Sequence, residues 1–547
     1  MTDKRSSAST LDKEASVRVD ELKGTPIYNA HVDTSGVDER KLMRKIDLRL
    51  IPWLSFLYLL SFLDRTSIGN AKLYHLKDDL HLNDTQYLLS LTIFFFSYAI
   101  FEVPSNVFLK RLRPSMWLSA LMLLWGIMMT VQGLVHNYGG LLGMRWMLGV
   151  FEAGLFPGVN YYLSCWYKRS EFGLRAALFF SAATVSGAFG GLLAAAISNM
   201  EGIGGKPAWA WIFILEGLVT VVAGIVSFWI IQDFPDTAKF LSEAERTVVV
   251  RRLQGDDQFS AAGEKLRWKY IWQSLLDWKT WVSSEYTASY LHVVRPLMPP
   301  LTVMVYSGSD MPLYAFSLFL PSIINQVWVS PVYFSIPHSK ETSTAGYRAT
   351  PANLLTVPVY VFACIVTCCV GFAADRWGHR GLLNIGFLCL GGAGYIILIA
   401  SQNAALSYFA VYLATCGIYP VIPNTIAWVS NNVEGSYKRS VSLAMTISFG
   451  NINGAVSSNV YRDVDKPWYR LGHGLVLMYI GFGIVFSVIY RVLLKAENER
   501  RDRGERDEII GDTNTDGPVN EKNGIYPTVD EAKRDKGDSW SGYRYTL

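Results

Sequence analysis

A chain of 547 residues with a formal net charge of only +4 excludes a nucleic-acid-binding role carried by bulk charge. Half of its residues are hydrophobic and 18% are charged. The mean hydropathy is +0.20, and apolar runs of about 20 residues recur, which excludes a soluble fold because one core could not bury so many apolar faces.

In chain order, residues 1–45 are rich in Ser, Asp, Glu and Lys and read as a disordered N-terminal tail. They lack an apolar h-region, so no cleavable signal peptide is expected and the first span serves as the targeting signal. Spans follow near 50–68, 88–109, 115–135, 139–165, 175–198 and 209–232, forming a block over 46–232. A polar segment over 233–280 comes next. Within it Ser242-Glu-Ala-Glu245 is a capping box that predicts a short surface helix through Arg252. The second block, 281–495, has spans near 305–325, 353–373, 382–401, 406–430, 440–460 and 472–494. Residues 496–547 read as a second disordered tail. The pattern is that of an all-α, multi-pass membrane protein.

Lys and Arg set the orientation. Arg40, Lys41, Arg44, Lys45 and Arg49 precede the first span, Lys110, Arg111 and Arg113 follow the second, and Lys168, Arg169 and Arg175 follow the fourth. Arg376 and Arg380 follow the eighth span, and Lys438 and Arg439 the tenth. All lie on one side if both termini are cytoplasmic; Arg462, Lys466 and Arg470 weaken the pattern without reversing it. The sequon Asn83-Asp-Thr85 then lies outside, too close to the second span for glycosylation.

The six cysteines, Cys165, Cys364, Cys368, Cys369, Cys389 and Cys416, lie in or beside apolar spans. The 364–369 group has no nearby histidine and no second pair at ligand spacing, so it reads as helix packing; no metal or other cofactor is expected.

Several charges fall inside the spans: Asp64-Arg65 in the first, Glu102 in the second, Arg145 and Glu152 in the fourth, Glu216 in the sixth. Such residues are expensive at that depth and usually face a cavity and each other. Arg145 and Glu152 are seven apart, which puts them on one helix face. The alternating signs suggest mutual neutralisation, with protons moving as pairs rearrange. Glu102 and Glu216 read as structural, Glu102 as a brace for the loop after its span. The second block has few charges and should supply polar and aromatic contacts: Tyr314 and Phe316 in the seventh span, Asn424 in the tenth, Asn451 and Asn453 in the eleventh. Tyr419, Pro420 and Pro423 break the tenth helix beside Asn424, as substrate sites at discontinuous helices require. Gly187, Gly190 and Gly191 read as close helix contact.

Gly371-Phe-Ala-Ala-Asp-Arg-Trp-Gly-His-Arg-Gly381 is the most unusual short run, four ionisable or imidazole groups between two apolar spans. Asp375 can pair with Arg376, Arg380 or the end of a neighbouring helix. Gly378 and Gly381 permit a tight turn and close helix approach. An ion pair that forms in one conformation and breaks in another can bias a two-state equilibrium by a few kcal/mol. No nucleophile or metal accompanies His379, so the run reads as a gate and not as a catalytic centre.

These motifs carry a resemblance. The six-break-six pattern and Gly371-x-x-x-Asp375-Arg376-x-Gly378-x-Arg380-Gly381 resemble the major facilitator superfamily. Within it the chain is similar to the anion:cation symporter family, in the fungal branch of allantoate, nicotinate, pantothenate and biotin permeases. The carriers are Phe62-Leu-Asp-Arg-Thr-Ser-Ile-Gly-Asn70, Phe101-Glu-Val-Pro-Ser-Asn106, Arg145-x-x-x-Gly149, Asp233-Phe-Pro-Asp236 and Asn353-Leu-Leu-Thr-Val-Pro-Val359. The resemblance covers roughly 45–280 and 305–495 and implies twelve transmembrane helices in two pseudo-symmetric six-helix bundles. In similar proteins the stretch like 277–281 runs almost directly into one like 306–326, and that soon into one like 346–353. Here 285–303 and 328–344 intrude, and they read as translated retained introns; abundant transcripts encoding both would refute that.

The resemblance also implies roles. Arg65 holds a substrate carboxylate by a two-pronged contact, Asp64 and Glu152 take and release protons, and Arg145 pairs with ionised Glu152. Tyr314, Asn424 and Asn451 complete the substrate site. Gly371, Asp375, Arg376, Gly378, Arg380 and Gly381 form the gate. The expected function is proton-coupled symport of a small organic anion by alternating access, with protons and the lipid bilayer as the other partners. A monomer in the plasma membrane is expected, with the vacuole left open. A nutrient sensor of transporter ancestry is the alternative; no enzymatic constellation is present.

Overall fold

The computed structural model describes residues 28–29, 31–256, 301–329, 345–401, 403–434, 436–461, 465, 468–510 and 523–547. Side chains at 321–329 and 345–354 also lie outside that description.

Local chemistry starts the helices. The Asp38 carboxylate accepts from Arg40 N and Lys41 N and opens α1 (Glu39–Leu73). Asn83 and Gln86 form a reciprocal capping box at α2 (Asp84–Arg111). The Asn83 side chain is therefore committed to the helix start, which adds to the expectation that the sequon is not used. Pro114 occupies the first turn of α3 (Pro114–Gln132), and the Asn137 side chain accepts from Gly140 N at α4 (Tyr138–Glu152). After a break at 153–154, α5 (Leu155–Ser164) completes the fourth pass. Then come α6 (Arg169–Ile197) and α7 (Ala208–Ile230). The capping box expected at Ser242 and Glu245 is present and opens the short α8 (Glu243–Gln254).

The second half contains α9 (Leu301–Val329), α10 (Ala345–Trp377), α11 (Arg380–Ala400), the broken pair α12 (Ala404–Ile418) and α13 (Val421–Asn431), α14 (Ser436–Ser457) and α15 (Arg470–Asp502). Counting each broken pair once, and leaving out the short helices, the described residues give twelve long helical units in two six-helix bundles. Nine helices are, among the described residues, long and apolar enough to cross a membrane by length and composition alone. The expected intrusions at 285–303 and 328–344 fall outside the described residues except at their inner ends, which belong to α9.

Apolar side chains such as Val222, Trp229, Phe362, Ile365 and Val485 are exposed on the outside of the helices, where lipid replaces water as the contact phase. Small residues set the closest contacts inside. A Cβ on Gly308 of α9 would lie 2.3 Å from Gly483 Cα of α15, so only glycine allows the two backbones to meet. The bundles meet mainly along α6 against α10 and α2 against α14. The expected close contact at Gly187 falls on the first of these seams, where a Cβ would meet the Tyr360 ring at 2.7 Å.

Both terminal segments differ from their reading as disordered tails. α1 begins at Glu39, and Arg251 donates to the carbonyls of Tyr28 and Asn29 at 3.0 and 2.6 Å. Residues 1–27 lie outside the described residues. At the other end α15 continues to Asp502, and residues 523–547 return to the same face with α16 (Val529–Lys536). Arg501 donates to the carbonyls of Asp538, Trp540 and Tyr543 at 3.1, 3.2 and 2.7 Å. Tyr543 and Tyr545 are buried beside Trp428 and Tyr490. The composition of the segment is charged, but Trp540, Tyr543 and Tyr545 supply an apolar face that pairs with the end of the bundle.

Candidate functional site

The geometry starts from the middle of α1. Successive helical residues are about 100° apart, so neighbours in sequence face different partners. Ser61 and Arg65, four apart, point the same way. Ser61 Oγ donates to Glu152 Oε1 at 2.7 Å, and Arg65 donates to the same oxygen from Nη2 at 2.6 Å and Nε at 3.1 Å. Asp64 turns away from this pair towards α7, where Thr220 Oγ1 donates to its Oδ2 at 3.0 Å. Ser67 of α1 in turn donates to Glu216 of α7. Asp64 and Glu216 are thus each held by a hydroxyl of the opposite helix. Asp64 does not pair with Arg65, because chain adjacency on a helix puts them on different faces.

The Arg65 guanidinium reaches across the bundle seam. Nη1 donates to the Tyr314 hydroxyl of α9, and the Tyr98 ring centroid lies 4.9 Å from its Cζ. Tyr314 Oη donates to Asn451 Oδ1 of α14 at 3.2 Å, and Asn451 Nδ2 donates to Glu102 Oε2 of α2 at 3.3 Å. Arg65, Glu152, Tyr314, Asn451 and Glu102 therefore form one network crossing both halves. All five are buried, Glu102 and Glu152 completely. Asp310, one turn before Tyr314 on α9, is buried as well.

Arg145 does not make the expected pair with Glu152, which is held by Arg65 instead. It donates from Nε to the Ser90 carbonyl at 3.4 Å, and its guanidinium lies 4.8 Å from the Phe94 centroid. Asn424 is also placed differently. It accepts from Arg380 Nη1 at 3.2 Å and donates to Arg380 O at 2.9 Å and Asn384 Oδ1 at 2.7 Å. That puts it beside the loop between α10 and α11 and not with Arg65. Asn453 donates to Ser307 Oγ at 2.9 Å and supports the contact of α14 with α9.

Across the turn between α10 and α11, Asp375 of the last turn of α10 pairs with Arg380, the first residue of α11, at 2.5 Å. The same carboxylate accepts from Gly173 N at 3.1 Å and Leu174 N at 2.7 Å, both on α6 of the other bundle. Gly378 has φ of +70°, the conformation the turn requires. A Cβ on Gly381 would meet the Trp428 ring at 2.8 Å, and one on Gly371 would meet Ala177 Cβ at 2.5 Å. Arg376 is exposed. Asn431 Nδ2 adds a further cross-bundle bond, to the Arg169 carbonyl at 3.0 Å. Residues 543–547 lie against this assembly: Trp428 Nε1 and Asn432 Nδ2 donate to Thr546 O at 2.8 and 3.0 Å, and the Tyr543 ring centroid lies 4.9 Å from Arg169 Cζ. The first-half counterpart differs, with Ser115 at the start of α3 donating to Asp233 Oδ1 at 2.7 Å.

At the opposite end of the seam, Asn459 Nδ2 of the α14 end donates to Thr92 Oγ1 of α2 at 3.2 Å. Nearer the middle, Ser448 Oγ donates to Ala99 O at 2.5 Å. Contacts between the halves thus lie on both sides of the central network. Sequence reasoning missed Asp310 and underrated Glu102. The signal was present in each case, an acid one helical turn or a little more from a polar or aromatic partner in an apolar run.

Comparison with known proteins bears on the family and the fold. The family model described as Major Facilitator Superfamily matches residues 54–458. The MFS-type transporter cnsO of Penicillium expansum is 32% identical over 505 residues, covering 89% of this chain and 90% of that one. The high-affinity nicotinic acid transporter of Saccharomyces cerevisiae is 30% identical over 465 residues, covering 85% and 79%. Among solved structures, the proton:xylose symporter XylE bound to 6-bromo-6-deoxy-D-glucose aligns with a TM-score of 0.54 at 12% identity, covering 81% of this chain and 95% of that one. At that identity the likeness speaks to the fold.

Proposed function

The chain belongs to the major facilitator superfamily, and from that premise we propose that it is a proton-coupled symporter of a small organic anion. It is a secondary transporter and not an enzyme. The observation that carries the finer reading is the buried Arg65 guanidinium, shared between Glu152 of its own bundle and Tyr314 of the other. A substrate carboxylate competes with Glu152 for Arg65 through the planar fork that suits carboxylates. Glu152, released from its cation in a dry site, takes a proton and so couples substrate to proton. Tyr314 and Asn451 bring the second bundle to the same ligand. Asp375, Arg380 and the α6 amides hold the halves together on the face that carries the terminal segments, which is the cytoplasmic face in this reading. Opening that face breaks this set while the central network rearranges. Nicotinate, allantoate, pantothenate, biotin and short dicarboxylates are the candidate substrates, and the similarity to the yeast nicotinic acid transporter puts nicotinate first. The carrier acts as a monomer in the plasma membrane.

Uptake of labelled acids from this panel, by cells and by proteoliposomes under a pH gradient, tests the reading. The expected result is uptake of at least one acid that Arg65→Ala abolishes without loss of membrane expression. Glu152→Gln is expected to lose uphill accumulation. Binding of an acid with no uptake by the wild-type protein would favour a sensor; normal uptake by Arg65→Ala would remove Arg65 from the site.

A further inference from the structure

We propose that Asp310 on α9 is a second proton-carrying carboxyl group of the central site, so that the C-terminal bundle contributes a proton of its own to the transport cycle. The observation is an imbalance of buried charge. Asp64, Glu102, Glu152, Glu216 and Asp310 are all buried within membrane-spanning helices, whereas the guanidiniums buried among the same helices are Arg65 and Arg145. Arg65 is already paired with Glu152. Arg145 is stacked on Phe94 and bonded to a carbonyl. Thr220 and Ser67 cap Asp64 and Glu216 with hydroxyl donors, and the Asn451 amide reaches Glu102. Asp310 is hydrogen-bonded by Tyr306 of its own helix; its Oδ2 has no hydrogen-bond partner among the described residues, as is true of one oxygen on each of the other four acids.

The groups that face Asp310 are Tyr58 and Arg65 from α1, Glu102 from α2, and Tyr306 and Tyr314 from its own helix. One of these is a cation, and it is committed to another carboxylate. A carboxylate in a dry site with a tyrosine hydroxyl and no cation of its own costs more than that neutral hydrogen bond returns. A proton on Asp310 removes that cost. Its spacing of four residues from Tyr314 puts the two side chains on one face of α9, and Tyr314 bonds to Arg65. When a substrate anion takes Arg65 from Glu152, the site needs a proton on Asp310 as well as on Glu152 to stay near neutral while it crosses. Asp310 then releases its proton to water when the site opens on the side of lower proton concentration.

The transport arm of the test rests on the symport reading; the spectroscopic arm does not. Infrared spectra of the purified full-length protein at neutral pH should contain the carbonyl stretch of a protonated buried carboxylic acid. Asp310→Asn should remove intensity from that band, and Asp310→Glu, which keeps the acid, should retain it at a shifted frequency. A band that neither substitution alters overturns the proposal, and Asp310→Glu decides it alone if the Asn variant does not fold. In proteoliposomes, Asp310→Asn should lower the accumulation of a transported acid about tenfold for each pH unit of gradient, the factor that one proton contributes. Unchanged accumulation also overturns it. If the wild-type protein accumulates none of nicotinate, allantoate, pantothenate, biotin or the short dicarboxylates, the symport reading fails, and the infrared comparison still decides the state of Asp310.

Discussion

Arg65 and Tyr314 lie 249 residues apart in the chain and on opposite bundles, yet the guanidinium donates directly to the phenol. Tyr314 passes the contact on to Asn451 at 3.2 Å. Movement of one bundle against the other therefore changes the surroundings of the central cation, the relation that alternating access between two rigid halves requires.

Removing only the hydroxyl isolates that relation. Tyr314→Phe keeps the ring against Phe62 and Phe95 and deletes the bridge between Arg65 and Asn451. A hydrogen bond to a charged group contributes about 1.5–3 kcal/mol, so uptake kcat/KM should fall about tenfold or more. Wild-type kinetics for Tyr314→Phe would show that the phenol serves packing alone.

Asp375 makes a sharper local prediction. Its carboxylate accepts from the Gly173 and Leu174 amides and pairs with Arg380, which is almost fully buried. Asp375→Ala leaves a buried guanidinium short of its partner, a loss of about 3–5 kcal/mol where the site is dry and less where water reaches it. Hydrogen exchange at residues 173–174 should accelerate more than tenfold, while exchange at the opposite end of α6 stays as in the wild type. Unchanged protection at 173–174 would mean that the carboxylate does not hold this face closed.

On the opposite face the seam depends on a missing side chain. A Cβ on Gly454 of α14 would lie 2.1 Å from the Phe95 ring of α2. Gly454→Val should therefore hold the halves apart at that end and break the Asn459–Thr92 bond. A Thr92→Cys reporter should then react faster with a membrane-impermeant thiol reagent than it does in the Gly454 background. Equal reactivity would place the moving contact elsewhere.

What the sequence disclosed follows the strength of each local signal. The spans were legible because apolar runs and caps such as Asn83, Pro114 and Ser242 act within a few residues. Arg65, Tyr314 and Asn451 were found because a polar group in an apolar run must be satisfied somewhere, and here they satisfy one another. Asn424 was misplaced because Pro420 and Pro423 mark a helix break but not its depth, and its partners Arg380 and Asn384 come from another helix. The surroundings of Asp64 were not legible, since sequence neighbours on a helix do not share a face and its partner Thr220 comes from α7. Residues 523–547 were read from their charge, whereas Tyr543 and Tyr545 decide where they go.

The docked segment has a further consequence. Thr546 engages Trp428 and Asn432, and Tyr543 stacks on Arg169 and donates to Asn431 O at 2.7 Å. It touches both halves, through Arg169 of one and Trp428, Asn431 and Asn432 of the other. Being tethered to the same polypeptide, it meets its seat at an effective concentration set by the connecting chain and not by expression level. Inserting or removing residues between α15 and α16 should therefore change how firmly residues 543–547 hold their seat, with the solute pathway untouched.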